Sequence, residues 1–138
     1  MPRIAAAFFA FAVLWALSGM ILGLYMGAHE DFAMADAHAH INLVGWVTQA
    51  LYGTFYAITR ETKLLWLPRI QFAVSVLGAL AMLPALAMFL SHGNDPKYIP
   101  LMIGGGMLSA LSMLIFAVSV FRELLRERHG TMHVHEHH

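Results

Sequence analysis

Four stretches of this chain, each at least 22 residues long, contain no Asp, Glu, Lys or Arg. They cover residues 4–28, 37–59, 70–91 and 98–121. A helix needs about 20 mostly apolar residues to cross a bilayer, and none of the stretches alternates like a membrane strand. The sequence therefore predicts an all-α integral membrane protein. Its four-helix bundle would occupy residues 1–128 as one domain, with a His-rich tail at 129–138.

The composition supports a membrane protein and narrows its chemistry. Hydrophobic residues make up 59% of the chain and charged residues 12%, whereas about 25% of residues are charged in a typical soluble domain. The formal net charge is zero, so we expect no nucleic-acid partner. Because the chain has no cysteine, it cannot form disulfides, iron–sulfur clusters or thioether-linked haem.

Basic residues lie on one side of the predicted bundle. They precede the first stretch, separate the second from the third and follow the fourth, at Arg3, Arg60, Lys63, Arg69, Arg122, Arg126 and Arg128. The other two loops carry Glu30, Asp31, Asp36 and Asp95 with only Lys97. The positive-inside rule therefore places both termini and the middle loop in the cytoplasm. The expected location of this multi-pass protein is a bacterial inner membrane.

Four histidines fall at the external ends of the predicted spans. His29 ends the first span, His38 and His40 begin the second, and His92 follows the third. Histidine at membrane depth is costly and is a functional-site hypothesis by default. It is also a common ligand of haem iron, copper and zinc.

The pair His38 and His40 is spaced for two partners. A helix turns about 100° per residue, so the two imidazoles point roughly 200° apart and do not share one ion easily. A polar seam continues from His38 at helical spacing, through Asn42, Gly45, Gln49, Tyr52 and Tyr56. Such a seam faces protein, cofactor or water rather than lipid, and helix–helix packing is an alternative to cofactor binding.

Two details favour a cofactor beside this segment. Gly45 lacks a side chain, which allows a neighbouring backbone or a flat ring to approach closely. His40 heads a different face of the helix, continued by Val44, Val47 and Leu51. An imidazole above such an apolar wall suits one edge of a porphyrin.

This segment resembles a known haem site. His38-Ala-His40 followed by Ile-Asn42-Leu-Val-Gly45-Trp46-Val is similar to subunit I of the haem–copper oxidase and nitric oxide reductase superfamily, in particular to small four-helix relatives of the cbb-type subunit. In the large members, the first histidine of such a pair ligates the high-spin haem and the second the low-spin haem. The resemblance implies haem b at His38 and His40, with Asn42, Gly45 and Gln49 beside it.

The resemblance also implies an assembly. The large subunits have twelve helices in three arcs of four, related by pseudo-threefold symmetry. A chain that supplies one quartet is expected to form a homotrimer, because heterologous contacts close into a ring. Each interface would then hold one haem between His40 of one subunit and His38 of the next. Further expected partners are membrane lipid and a redox partner or quinone.

Departures from that family argue against a complete oxidase. The chain has no second intramembrane histidine cluster for copper, no segment for the crosslinked tyrosine and no carboxylate within a span. Three hypotheses follow. The first is a haem protein for electron transfer or redox and gas sensing, and the second is a small oxidase or nitric oxide reductase-like enzyme. The third is a membrane protein that binds copper or zinc through His29, His38, His40 and His92.

Overall fold

The computed structural model describes residues 1–59 and 66–135, with side chains described as far as residue 126. Within these ranges the chain forms helices and no strand. The helices are α1 (Arg3–His29), α2 (Ala35–His40), a π-helix (Ile41–Val47), α3 (Thr48–Ile58), α4 (Trp66–Ser91), a 3-10 turn (Pro96–Tyr98) and α5 (Ile99–His135). Because α2, the π-helix and α3 follow one another without a break, they form one helical segment, 35–58, and the described residues contain four helices.

In the described part of the chain, three helices are long and apolar enough to cross a membrane. They are Arg3–His29, Trp66–Ser91 and the stretch Pro96–Arg126. The fourth, segment 35–58, is divided by its π-helix into shorter parts. The prediction of an all-helical fold is confirmed for the described residues, and the three apolar helices indicate a multi-pass membrane protein.

The helix ends differ from the predicted spans by a few residues, except at the C-terminus. There α5 continues to His135, beyond the predicted end at residue 121 and into the segment predicted as a separate tail. Leu, Glu and Arg between residues 122 and 128 are good helix formers, so the helix continues although these residues are too polar for a membrane. The basic Arg60 and Lys63 lie outside the described residues.

The turns between helices have clear stop signals. Glu30, after α1, adopts a left-handed φ of 50°, and the Asp31 amide donates to the Met26 carbonyl at 3.1 Å. After α4, Gly93 and Asn94 have φ values of 63° and 62°. The Asp95 side chain then accepts from the Lys97 amide at 3.1 Å and begins the 3-10 turn.

The helices pack as two antiparallel hairpins. In the first, α1 packs against segment 35–58, where Gly45 lies against Trp15 and Gly53 against Ala5. In the second, α4 packs against α5, and Gly78 lies against Ser109. Contacts of α4 with α1, α2, the π-helix and α3 join the hairpins.

Buried residues form two clusters along the bundle. One contains Phe8, Tyr52 and Tyr56, with ring centroids of Phe8 and Tyr52 at 5.6 Å. The other, nearer the histidines, contains Ile41, Ala79 and Leu83. Edge-to-face and stacked aromatic contacts of this kind add to the packing energy that holds membrane helices together.

Polar side chains connect the hairpins between and beside these clusters. Gln49 Nε2 donates to Ser75 Oγ at 2.6 Å. The Tyr56 hydroxyl donates to Gln71 Oε1 and lies 3.0 Å from Ser119 Oγ. In the predicted polar seam, Gln49 and Tyr56 therefore form hydrogen bonds between helices. Helix–helix packing was the alternative to cofactor binding at these positions.

Candidate histidine site at one end of the bundle

The alternating helix directions bring four histidines to the same end of the bundle. Segment 35–58 runs antiparallel to α1 and to α4, since Gln49 pairs with Ser75 whereas Tyr56 pairs with Gln71. The end of α1, the start of α2 and the end of α4 therefore lie together. His29, His38, His40 and His92 occupy these places.

His40 presents a metal-competent nitrogen outside the bundle. The side chain is exposed, and its Nδ1 lies 2.8 Å from the Asp36 carbonyl oxygen. A carbonyl only accepts, so Nδ1 carries the proton and the neutral ring keeps its lone pair on Nε2. A backbone carbonyl on Nδ1 is a usual outer partner of a metal-ligating histidine.

Apolar side chains are exposed on the same helical segment as His40. Leu43 and Leu51 are about 60% exposed, at 61% and 60%, and Val47 is 41% exposed. The helix face predicted to continue from His40 contained Val44, Val47 and Leu51. Val47 and Leu51 are exposed, whereas Val44 packs against the buried cluster that contains Ile41. Leu43 joins the outer face in its place.

His29 and His92 are held in the same way as His40. Both are exposed, and their Nδ1 atoms lie 3.0 Å from the Tyr25 carbonyl and 2.9 Å from the Met88 carbonyl. In the neutral form of each ring, Nδ1 therefore carries the proton and Nε2 keeps its lone pair. The His29 ring stacks on Tyr25 with centroids 4.3 Å apart.

His38 points in another direction, towards α1. Its Nε2 lies 3.2 Å from Asn42 Nδ2, and its buried Nδ1 has no hydrogen-bond partner in the described part of the chain. The ring lies against Gly23, where an added Cβ would be 2.9 Å from His38 Cε1. His38 and His40 therefore point in different directions, as predicted, and of the two only His40 has an unpaired nitrogen on an exposed ring.

The remaining predicted cofactor residues face the inside of the bundle. Asn42 contacts His38 and Gly19. Gly45 was predicted to admit a backbone or a flat ring, and the ring it admits is the indole of Trp15. Gln49 hydrogen-bonds to Ser75, roughly 15 Å further along the segment than His38. None of the three adjoins the exposed face of His40.

The sequence did not lead us to predict which side of α1 contacts His38 and Asn42. Gly19 and Gly23 provide it, because a Cβ at position 19 would lie 3.2 Å from Ile41 Cγ2 and a Cβ at 23 would meet His38. The signal was present: Gly19, Gly23 and Gly27 recur every four residues, the small-residue spacing of closely packed membrane helices.

The four histidines do not form a joint metal site within one chain. Among residues whose side chains are described, no group of three or more His, Asp or Glu could hold a metal ion. A site built on several of these imidazoles would therefore need ligands from another copy or from a cofactor.

Comparisons with known proteins found no matching family model, curated protein or solved structure. The resemblance to oxidase subunit I therefore depends on the motif at residues 38–47 alone.

Proposed function

We propose that this chain is a b-type haem protein of a bacterial inner membrane, with His40 as an axial ligand of the iron. The observation that carries the proposal is the state of His40. Its Nδ1 lies 2.8 Å from the Asp36 carbonyl oxygen, which leaves Nε2 of the exposed ring as the nitrogen for a metal. Leu43, Val47 and Leu51 of the same helical segment are exposed apolar residues. A histidine nitrogen is one of the ligands by which proteins hold haem iron.

The residues around His40 fit one side of a haem. The Asp36 carbonyl fixes the ring orientation and raises the basicity of Nε2. Leu43, Val47 and Leu51 supply an apolar wall that would contact the macrocycle and keep water away from it. When bound, haem iron supplies one-electron redox chemistry, and the residues around it set its potential.

The second axial ligand would come from a neighbouring copy in a homotrimer with both termini in the cytoplasm. His38 is the candidate implied by the resemblance. It contacts Asn42 and Gly23 in this structure, so it would have to leave the Asn42 amide to bind iron. With both axial positions filled by histidine, no position is open for a substrate, and electron transfer or redox sensing is the favoured role.

The test is the absorption spectrum of full-length protein purified from haem-replete cells. We expect a Soret band in the wild type and its loss in His40→Ala. His29→Ala and His92→Ala are matched controls, since these exposed rings are held by the same carbonyl contact, and they should keep the band. Absence of haem from the folded wild type, or equal loss in all three variants, would contradict the proposal.

One observation favours a second candidate, a copper or zinc protein. Three exposed imidazoles at one end of the bundle, His29, His40 and His92, carry Nδ1 protons and free Nε2 atoms. Copies that meet at this end could together surround one ion. Elemental analysis of the purified protein decides between the two: iron with a Soret band supports haem, and stoichiometric copper or zinc without one supports the metal site.

A further inference from the structure

Gln71 is a buried amide with one end unpaired. Its side chain is 0% exposed, between α3, α4 and α5. The Tyr56 hydroxyl donates to Gln71 Oε1, but Gln71 Nε2 has no partner among the described residues. Inside a membrane domain such a donor is costly, because lipid offers no acceptor.

One polar atom of Gln71 also stays unpaired when the nitrogen and oxygen of its side-chain amide are exchanged. With the amide turned over, Nε2 would donate to the Tyr56 oxygen, and the Tyr56 hydroxyl would donate to Ser119 Oγ, 3.0 Å away. The carboxamide oxygen of Gln71 would then be the unpaired atom. In either orientation one polar atom of Gln71 needs a partner.

The surroundings define what that partner is. Tyr56, Ser112 and Ser119 are 3%, 1% and 8% exposed, and Ser112 Oγ lies 3.4 Å from the Gln71 main-chain carbonyl oxygen. Hydroxyl, amide and carbonyl groups are the polar groups here, so the site suits a neutral molecule. It must accept from Nε2 or donate to Oε1, and it must be small enough for a closely packed interface.

We propose that Gln71, together with Tyr56 and Ser119, holds a buried water molecule between the two helical hairpins. Water both donates and accepts, so it pairs with Gln71 in either amide orientation. The site lies at the opposite end of the bundle from the histidines, because Tyr56 stacks on Phe8 near the start of α1 and donates to Gln71. It is therefore independent of any haem or metal at His40.

The chain contains a matched control for this site. Gln49 and Gln71 are its only glutamines. Gln49 is also buried, but its Nε2 donates to Ser75 Oγ at 2.6 Å and to the Val44 carbonyl at 3.3 Å. Its Oε1 accepts from Ser75 Oγ at 2.9 Å. Gln49 therefore needs no water.

Full-length protein labelled with 15N in glutamine side chains, in deuterated detergent, tests the proposal. Two side-chain amides will be visible, and Ser75→Ala, which alters the partner of Gln49 only, assigns them. We expect a rotating-frame Overhauser cross-peak between water and the side-chain amide protons of Gln71. Its sign distinguishes spatial proximity from chemical exchange. The side-chain amide of Gln49 should show no cross-peak with water. Absence of the Gln71 cross-peak, or equal cross-peaks for both amides, would overturn the proposal.

Discussion

Gly45 lies directly against the indole of Trp15. A Cβ built on Gly45 would be 2.6 Å from Trp15 Cγ and 2.7 Å from Trp15 Cβ, closer than atoms can approach. The glycine lies in the π-helix, and Trp15 is in the middle of α1. The contact therefore sets how closely the two helices of the first hairpin approach, and it lies about half the length of α1 away from the turn that connects them.

Replacing Gly45 by alanine should destabilise the protein. The added methyl group must displace the Trp15 ring or separate the helices, and overpacking of this kind costs about 1–3 kcal/mol. The free energy of unfolding can be measured by SDS titration in mixed micelles, followed by circular dichroism. Gly104→Ala is the control, because nothing lies within 4 Å of a Cβ at that exposed position of α5. If both substitutions change the free energy of unfolding by the same amount, the contact between Gly45 and Trp15 is not tight.

The interior position of the polar seam was predictable, but its partners were not. His38, Asn42, Gly45, Gln49, Tyr52 and Tyr56 are all buried or half-buried, because helical spacing alone assigns polar residues to a face that avoids lipid. Which helix each residue meets depends on the packing of four helices. Trp15 occupies the space beside Gly45, and Ser75 satisfies Gln49. No pattern within one helix encodes these pairs.

The hydrogen bonds between Gln49 and Ser75 should couple the two residues energetically. In a double-mutant cycle of Gln49→Leu and Ser75→Ala, we expect a coupling energy of about 0.6–1.7 kcal/mol, the range for hydrogen bonds between membrane helices. SDS unfolding of the four proteins measures it. The control is Thr54→Ala, since the Thr54 hydroxyl donates only to the Ala50 carbonyl of its own helix at 2.8 Å. A coupling energy of zero would mean that the two side chains are not paired in the membrane domain.

Removal of the Tyr56 hydroxyl should weaken the junction of the hairpins. Tyr56→Phe removes the contacts with Gln71 and Ser119 and leaves their polar atoms buried. We expect a loss of about 1–2 kcal/mol in the free energy of unfolding. Tyr25→Phe serves as the control, because Tyr25 is exposed at 51% and contacts His29 through its ring. If both variants lose the same stability, the buried hydroxyl has no special role.

The π-helix was not predictable from residue spacing. The seam residues follow steps of three and four that fit an uninterrupted α-helix. The structure instead contains the π-helix Ile41–Val47, with the Gln49 side chain donating to the Val44 carbonyl five residues back. A π-helix closes hydrogen bonds over five residues rather than four, so it changes the direction of the seam. His38, before the π-helix, and Gly45, within it, face α1. Gln49 and Tyr56, after it, hydrogen-bond to residues of α4.

Deletion of Leu43 should be tolerated, whereas deletion of Leu51 should not. The two leucines are equally exposed, at 61% and 60%. A π-helix accommodates one residue more than an α-helix of the same length, so loss of Leu43 lets the segment become α-helical while both ends keep their register. Loss of Leu51, in α3, rotates Tyr52 and Tyr56 by about 100° relative to the preceding turn and removes them from the core. Size-exclusion chromatography should therefore recover folded protein for the first deletion only, and the opposite ranking would show that the π-helix does not absorb a residue.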